Sequence, residues 1–326
     1  FIFERSCSCI YLYFSINQEN MTAIIFPGQG SQYLNMAMDF NDNFKISSDI
    51  FTEIEDNTKI NIRKIISKNS NNELNKTKFT QITIFSASMV IYKTFINEFG
   101  IENINPKVFF GHSLGEYSAL VAKEILNLSE ASNLIKRRGE LMDSAIEPHI
   151  SGMAAIIGKN AEFIDIIIRK NNLDIQIAND NSPMQVVVSG LIKDIDDAQS
   201  IFISNGAKKY IKLNVSAAFH SKYMLEAQKK LNIEIDNINF LSSKSEIISN
   251  YNASINSDTK KIIFSLKNQM ANRVKWTESI KKLEETSTTK IIEIGPGKVL
   301  SGLISRITNK FDIKTIDKIE DLNKFN

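Results

Sequence analysis

Val108-Phe109-Phe110-Gly111-His112-Ser113-Leu114-Gly115-Glu116-Tyr117 passes from an apolar run, through a G-x-S-x-G turn, into a helix-forming segment. A serine between a strand and a helix, with a glycine two residues away on either side, is the arrangement of a nucleophile elbow. The strand is expected over 108–110, and Glu116 to Ala122 reads as the helix. Glu116 falls in the first turn of that helix, where a carboxylate suits the dipole. The glycines let backbones approach where a Cβ would clash. This geometry exposes the Ser113 Oγ and leaves the Leu114 N–H free to donate to an oxyanion.

Outward from the elbow, Ile24 to Phe26 reads as a buried strand ending at Pro27-Gly28-Gln29-Gly30-Ser31-Gln32, a loop whose N–H groups can face a ligand. It lacks the G-x-x-x-x-G-K pattern of a phosphate cradle. Residues 31 to 100 read as mainly helical with a polar interruption at 68–72, and Thr80 to Phe99 carries apolar residues at helical spacing. A further helix is expected from about Ser129, as N-cap, to Ser144. Lys290 to Ile294 reads as a strand, with Gly295-Pro296-Gly297 turning into a helix over Val299 to Arg306.

The intervening segment has a different order. Met153 to Ile157 (strand), Ala161 to Asn171 (helix), Ile175 to Ala178 and Gln185 to Ser189 (strands), Asp194 to Asn205 (helix) and Lys209 to Leu213 (strand) follow one another, with 179–184 as the turn between the middle strands. β-α-β-β-α-β is the order of a ferredoxin-like unit. The expected organisation is therefore a catalytic α/β core from 21–148 and 216–326, with a mostly parallel sheet, and an inserted ferredoxin-like subdomain over 149–215.

Composition constrains function mainly by exclusion. With 326 residues the chain can bury a sizeable core, and a net charge of +2 gives no reason to expect nucleic acid. No apolar run is expected to span a membrane. Residues 1–20 read as translated upstream sequence, with the natural start at Met21. Both cysteines, Cys7 and Cys9, lie there, and a lone C-x-C is too little for a metal site. The remainder is free of cysteine, which suits the cytoplasm. No metal-ligand cluster or nucleotide-redox loop is visible, so no bound cofactor is expected.

A nucleophilic serine needs a base, and the chain has three histidines. His112 adjoins Ser113 and should point away from its Oγ into packing, and His149 lies in an exposed polar loop. His220, in Ala217-Ala218-Phe219-His220-Ser221, follows a strand end and precedes an amphipathic helix. Loops at strand ends gather catalytic groups in α/β sheets, so His220 is the candidate general base.

Phe26-Pro27-Gly28-Gln29-Gly30-Ser31-Gln32, Gly111 to Tyr117, Arg138-Gly139 with Met142, Asn181-Ser182-Pro183, Phe219-His220-Ser221 and Glu293 to Gly297 together make residues 21 to about 306 resemble the malonyl-CoA:acyl carrier protein transacylases, the acyltransferase family of fatty acid and polyketide synthesis. The resemblance implies an α/β-hydrolase-like core carrying a ferredoxin-like subdomain. It implies malonyl-CoA and acyl carrier protein as partners, with CoA thioester as substrate, and a discrete monomeric enzyme. It assigns Ser113 as nucleophile, His220 as base, the Gln29 and Leu114 N–H groups as oxyanion hole, and Arg138, rather than Arg137, as holder of the malonyl carboxylate. The family orients its histidine by a backbone carbonyl, a position matched by Gln269, and Phe219 goes with an unbranched malonyl group. Two departures stand out: Arg273 replaces the family's usual proline after Asn272, and Ala217-Ala218 replaces a frequent Gly-Pro before Phe219. The competing reading is a serine esterase or thioesterase on the same elbow. That reading calls for a carboxylate between Ser113 and His220, such as Asp165 or Asp180, and has no use for Arg138. A carrier-binding scaffold without catalysis has no use for the serine, histidine and arginine together.

Overall fold

A computed structural model describes residues 21–147, 149–243 and 245–325. The expectation for residues 1–20, including the two cysteines, lies outside them. Apolar side chains on both faces of each strand build the larger sheet. In β1 (Met21–Phe26), Ala23 and Ile25 enter one apolar cluster while Ile24 and Phe26 enter the other. In β2 (Pro106–Gly111), Val108 and Phe110 divide from Phe109 in the same way. Strands buried on both faces belong in a parallel sheet covered by helices on each side. With β7 (Glu246–Ile248), β8 (Ile255–Asn256), β9 (Thr288–Ile294) and β10 (Asp312–Ile316) the order is β10-β9-β1-β2-β7-β8. Every pairing in it is parallel except the edge pair β7–β8.

The second sheet holds β3 (Ser151–Ile157), β4 (Ile175–Ser182), β5 (Gln185–Leu191) and β6 (Lys209–Lys212) in the order β4-β5-β3-β6, all antiparallel. The period-2 alternation of strand side chains sorts its faces. Ala154, Ile156, Val186 and Val188 pack under the helices Ala161–Lys170 and Ile192–Ser204. Met153, Ala155 and Val187 face the other way, into the main core.

The structure corrects several boundaries. β4 runs on to Ser182 with two register shifts, so Asn179 to Ser182 are strand rather than turn. The strand is held there from outside its own sheet, since Val274 N–H donates to Ala178 O and Asp180 N–H to Val274 O. The helix expected from Ser129 is Leu128–Asp143, capped by the Asn127 side chain accepting from Glu130 N–H. Against the expectation that no run could span a membrane, the helix Thr77–Phe99 is long and apolar enough to do so, and most of it is buried inside the protein.

Candidate active site

Close backbone approach shapes the elbow. A Cβ on Gly111 would lie 2.3 Å from the Gly115 carbonyl carbon, and one on Gly115 would lie 2.0 Å from Phe26 O. His112 N–H donates to Phe26 O, tying the turn to β1. Ser113 sits at φ 51°, ψ −103°, a conformation that costs free energy in a non-glycine residue and persists only where its surroundings enforce it. Asn250, two residues past the end of β7, enforces it: its Oδ1 accepts from Ser113 N–H at 2.6 Å and its Nδ2 donates to Gly111 O at 2.7 Å. His220 is likewise held in the left-handed region, at φ 55°.

Ser113 Oγ lies 2.8 Å from His220 Nε2. The other ring nitrogen, Nδ1, faces Gln269 O at 3.2 Å and Asn272 O at 3.1 Å. Carbonyl oxygens only accept, so Nδ1 carries the hydrogen and Nε2 is the bare nitrogen, free to accept the hydrogen bond of the serine hydroxyl. Burial, and after it the Arg138 charge, pushes His220 down to about 3. Asp165 and Asp180 are engaged elsewhere, by Arg273 at 2.9 Å and by Thr277 at 2.7 Å. Replacing the family's proline by Arg273 thus leaves both carbonyls on His220 and adds an ion pair to the small sheet's helix.

Arg138 is only 1% exposed, although the preceding Arg137 faces water. Its Nη1 donates to Gln81 Oε1 at 2.5 Å, and its Nη2 to Gln269 Oε1 at 2.9 Å and to Ser113 Oγ at 3.0 Å. The Tyr117 ring lies 5.2 Å from its Cζ. Adjacent Arg137 points outward to Glu140 and Glu234. Arg138 thus makes hydrogen bonds to neutral oxygens only, and an unpaired buried guanidinium is costly unless an anion joins it.

Beneath the elbow, Glu116 Oε2 accepts from Gln269 Nε2 at 2.7 Å and from Asn250 N–H at 3.1 Å. Its carboxyl is fully buried, and burial pushes it up to about 7. It therefore braces the site and does not merely complement a helix dipole from the surface. His112 packs on the Trp276 ring, as expected, and it also lines the cavity, with Nε2 2.9 Å from Asn181 Oδ1; burial lowers it to about 4. His149 is exposed, as expected.

Ser113, His220, Arg138, Gln29, Leu114 and Phe219 all border one cavity of about 200 Å³, and Gln269 stands behind it. As the first N–H of the helix Leu114–Ala122, the Leu114 amide has no acceptor within that helix. Sequence reasoning missed Asn250 and Gln81. A polar residue amid the apolar positions of Thr77–Phe99 was the available signal for Gln81, whereas Asn250 follows a strand too short to announce itself.

The acyl transferase domain model matches residues 23–322. The chain belongs to the acyl transferase domain family. Among acyl transferases, the malonyl CoA-acyl carrier protein transacylase of Bacillus subtilis (strain 168) is 35% identical over 298 residues, covering 90% of this chain and 92% of that protein. The Staphylococcus aureus (strain MRSA252) protein of the same name is 33% identical over 308 residues, covering 94% and 98%. The crystal structure of the transacylase from Clostridium perfringens superposes with a TM-score of 0.88 at 32% identity, covering 94% of this chain and 96% of that one. A malonyl-transacylase solved in complex with its type II PKS acyl-carrier protein gives 0.89 at 32% identity, covering 93% and 98%.

Proposed function

We propose that this acyl transferase moves a malonyl group from malonyl-CoA to the phosphopantetheine thiol of acyl carrier protein, through a malonyl ester on Ser113. The Ser113 hydroxyl gives its proton to His220 Nε2 as Oγ attacks the thioester carbonyl. The N–H groups of Leu114 and Gln29 receive the oxyanion, where one donor is typically worth on the order of 10²-fold or more in rate. Collapse breaks the C–S bond, and the CoA thiolate takes the proton from His220. The carrier thiol then repeats the sequence in reverse: its proton goes to Nε2, its sulfur bonds the acyl carbon, and Ser113 recovers a proton as it leaves.

The observation that carries the malonyl assignment is Arg138, a buried cation hydrogen-bonded only to neutral groups and 3.0 Å from the nucleophile. A second carboxylate on the acyl group completes a bidentate pair there. The esterase reading lacks support, since His220 Nδ1 meets carbonyls where a hydrolase triad has a carboxylate. Phe219 in the cavity wall favours an unbranched acyl group, and the Gln269 carbonyl orients His220. The strand order β4-β5-β3-β6 supports a ferredoxin-like subdomain over 149–215, inserted in an α/β-hydrolase-like core. We further propose a cytoplasmic monomer that needs no cofactor beyond its CoA substrate. The test is CoA release from malonyl-CoA with and without acyl carrier protein. Release that depends on the carrier is expected, and equal release in its absence would make the protein a hydrolase.

A further inference from the structure

Arg138 and His220 meet at one atom. The Ser113 hydroxyl donates to the bare Nε2 of His220, so the Arg138 N–H, 3.0 Å from Oγ, occupies an oxygen lone pair. In the unacylated enzyme a cation therefore holds the electrons that attack. Moving the serine proton to Nε2 would also create an imidazolium beside that guanidinium in an enclosed site, where like charges repel strongly. Nothing bonded to Arg138 offsets its charge: Gln81 and Gln269 offer amide oxygens, and its Nε has no partner. The nearby carboxyl, Glu116, is engaged with Asn250 and Gln269.

We propose that Arg138 is a brake on Ser113 that the substrate's own carboxylate releases, holding Oγ and opposing the charging of His220 until an anion takes up its N–H groups and its charge. The inference rests on the acyl-transfer reading and deepens it. A clamp alone explains why malonyl-CoA binds well. The brake adds that acetyl-CoA reacts slowly even when bound, because it brings no anion. Burial, Arg138 and His112 all depress His220, while Tyr117 and Glu116 favour the charge on Arg138 itself. No step is added to the chemistry. The same proton passes from Oγ to Nε2, the same O–C bond forms and the same C–S bond breaks.

The brake makes an anion that is not attached to the acyl group an activator. Acylation of the wild-type enzyme by acetyl-CoA would be followed by rapid quench and intact mass, with and without potassium formate. Ionic strength would be matched with a bulky sulfonate salt. Formate is expected to accelerate acetylation about tenfold, equivalent to about 1.4 kcal/mol of barrier, and to saturate. No change, or slowing by competition, would overturn the brake. The second arm is sulfonylation of Ser113 by the neutral reagent phenylmethylsulfonyl fluoride. Arg138→Met should be labelled faster than wild type, should lose the formate response, and should lose labelling at a higher pH on acidification, because His220 holds its proton more tightly. Labelling at an equal or lower rate would equally sink the idea. Neither arm involves malonyl-CoA or the carrier. Failure here with malonyl transfer intact removes only the brake, whereas absence of malonyl transfer removes the reading beneath it.

Discussion

The loops of the parallel sheet and the inner face of the antiparallel sheet close on one cavity and contribute different things to it. From the parallel unit come the groups proposed to move protons or hold charge, with those that brace them: Gln29 after β1, Ser113 and Leu114 after β2, Asn250 after β7, Arg138 and Gln269 from the helices and loops around them, and His220 from the segment that leads back from β6. From the antiparallel sheet come Met153, Ala155 and Val187, which form wall, and Asn181, which holds His112. The difference follows from geometry. Parallel strands all end at one edge and release their loops together, so groups distant in sequence converge there. An antiparallel sheet sends its turns to both ends and offers a flat alternating face. Chemistry gathers on one unit and shape on the other.

The comparison breaks first if the reacting pair is misassigned. Ser113→Ala should abolish the malonyl-enzyme adduct seen by intact mass, and His220→Ala should slow its formation by ~10²–10⁴-fold. An adduct that survives in the serine variant moves the nucleophile elsewhere. Next in size is selectivity. A buried charge pair that loses one partner costs ~3–5 kcal/mol, so Arg138→Ala should shift preference from malonyl-CoA toward acetyl-CoA by several hundred-fold in kcat/KM. Arg137→Ala, which faces solvent, should leave that ratio alone. Equal losses on both donors would make Arg138 a structural residue.

The platform under the elbow predicts a pH effect of known sign. Glu116 is raised from its ordinary 4.5 to about 7, so the folded state keeps a proton that the unfolded chain releases. Its contribution to stability is full below 4.5 and declines as pH rises to about 7, at about 1.4 kcal/mol per pH unit. Glu116→Gln should remove that part of the slope, measured as the difference between the two unfolding curves across the window. Parallel curves would show that Glu116 is ionised throughout. The smallest effect belongs to the wall. Val187→Ala should leave kcat/KM for malonyl-CoA within about tenfold, and should improve the relative use of a branched acyl group by ~10-fold or more, since room for one methyl in a pocket is worth ~1–3 kcal/mol. A loss comparable to that of His220→Ala would end the division between chemistry and shape.

Much of this was legible in the chain itself. β1 and β2 hold apolar runs that end in glycine-bearing turns, β9 ends in the same way after Ile291-Ile292-Glu293-Ile294, and the β-α-β-β-α-β alternation is plain between 151 and 213. β7, β8 and β10 escaped notice. The first two have three and two residues, and β10 is an edge strand of mixed polarity, so none shows a long apolar period. The extension of β4 through Asn179 to Ser182 was hidden because its turn-forming residues are held by Val274, from a distant part of the chain.

The sequence by itself determined the elbow, because that geometry is local: only glycine at 111 and 115 leaves room for backbones that a Cβ would approach within 2.3 Å and 2.0 Å. Tertiary structure alone decided the company that elbow keeps. Ser113 meets His220 across 107 residues, Arg138 meets Gln269 across 131, and Asn250 reaches Ser113 across 137. No periodicity or propensity encodes such meetings. They follow from parallel strands releasing the loops of Ser113 and Asn250 at one edge, from the helices and the small sheet that pack around that edge and bring Arg138, Gln269 and His220 to it, and from burial that leaves each polar atom there few partners to choose among.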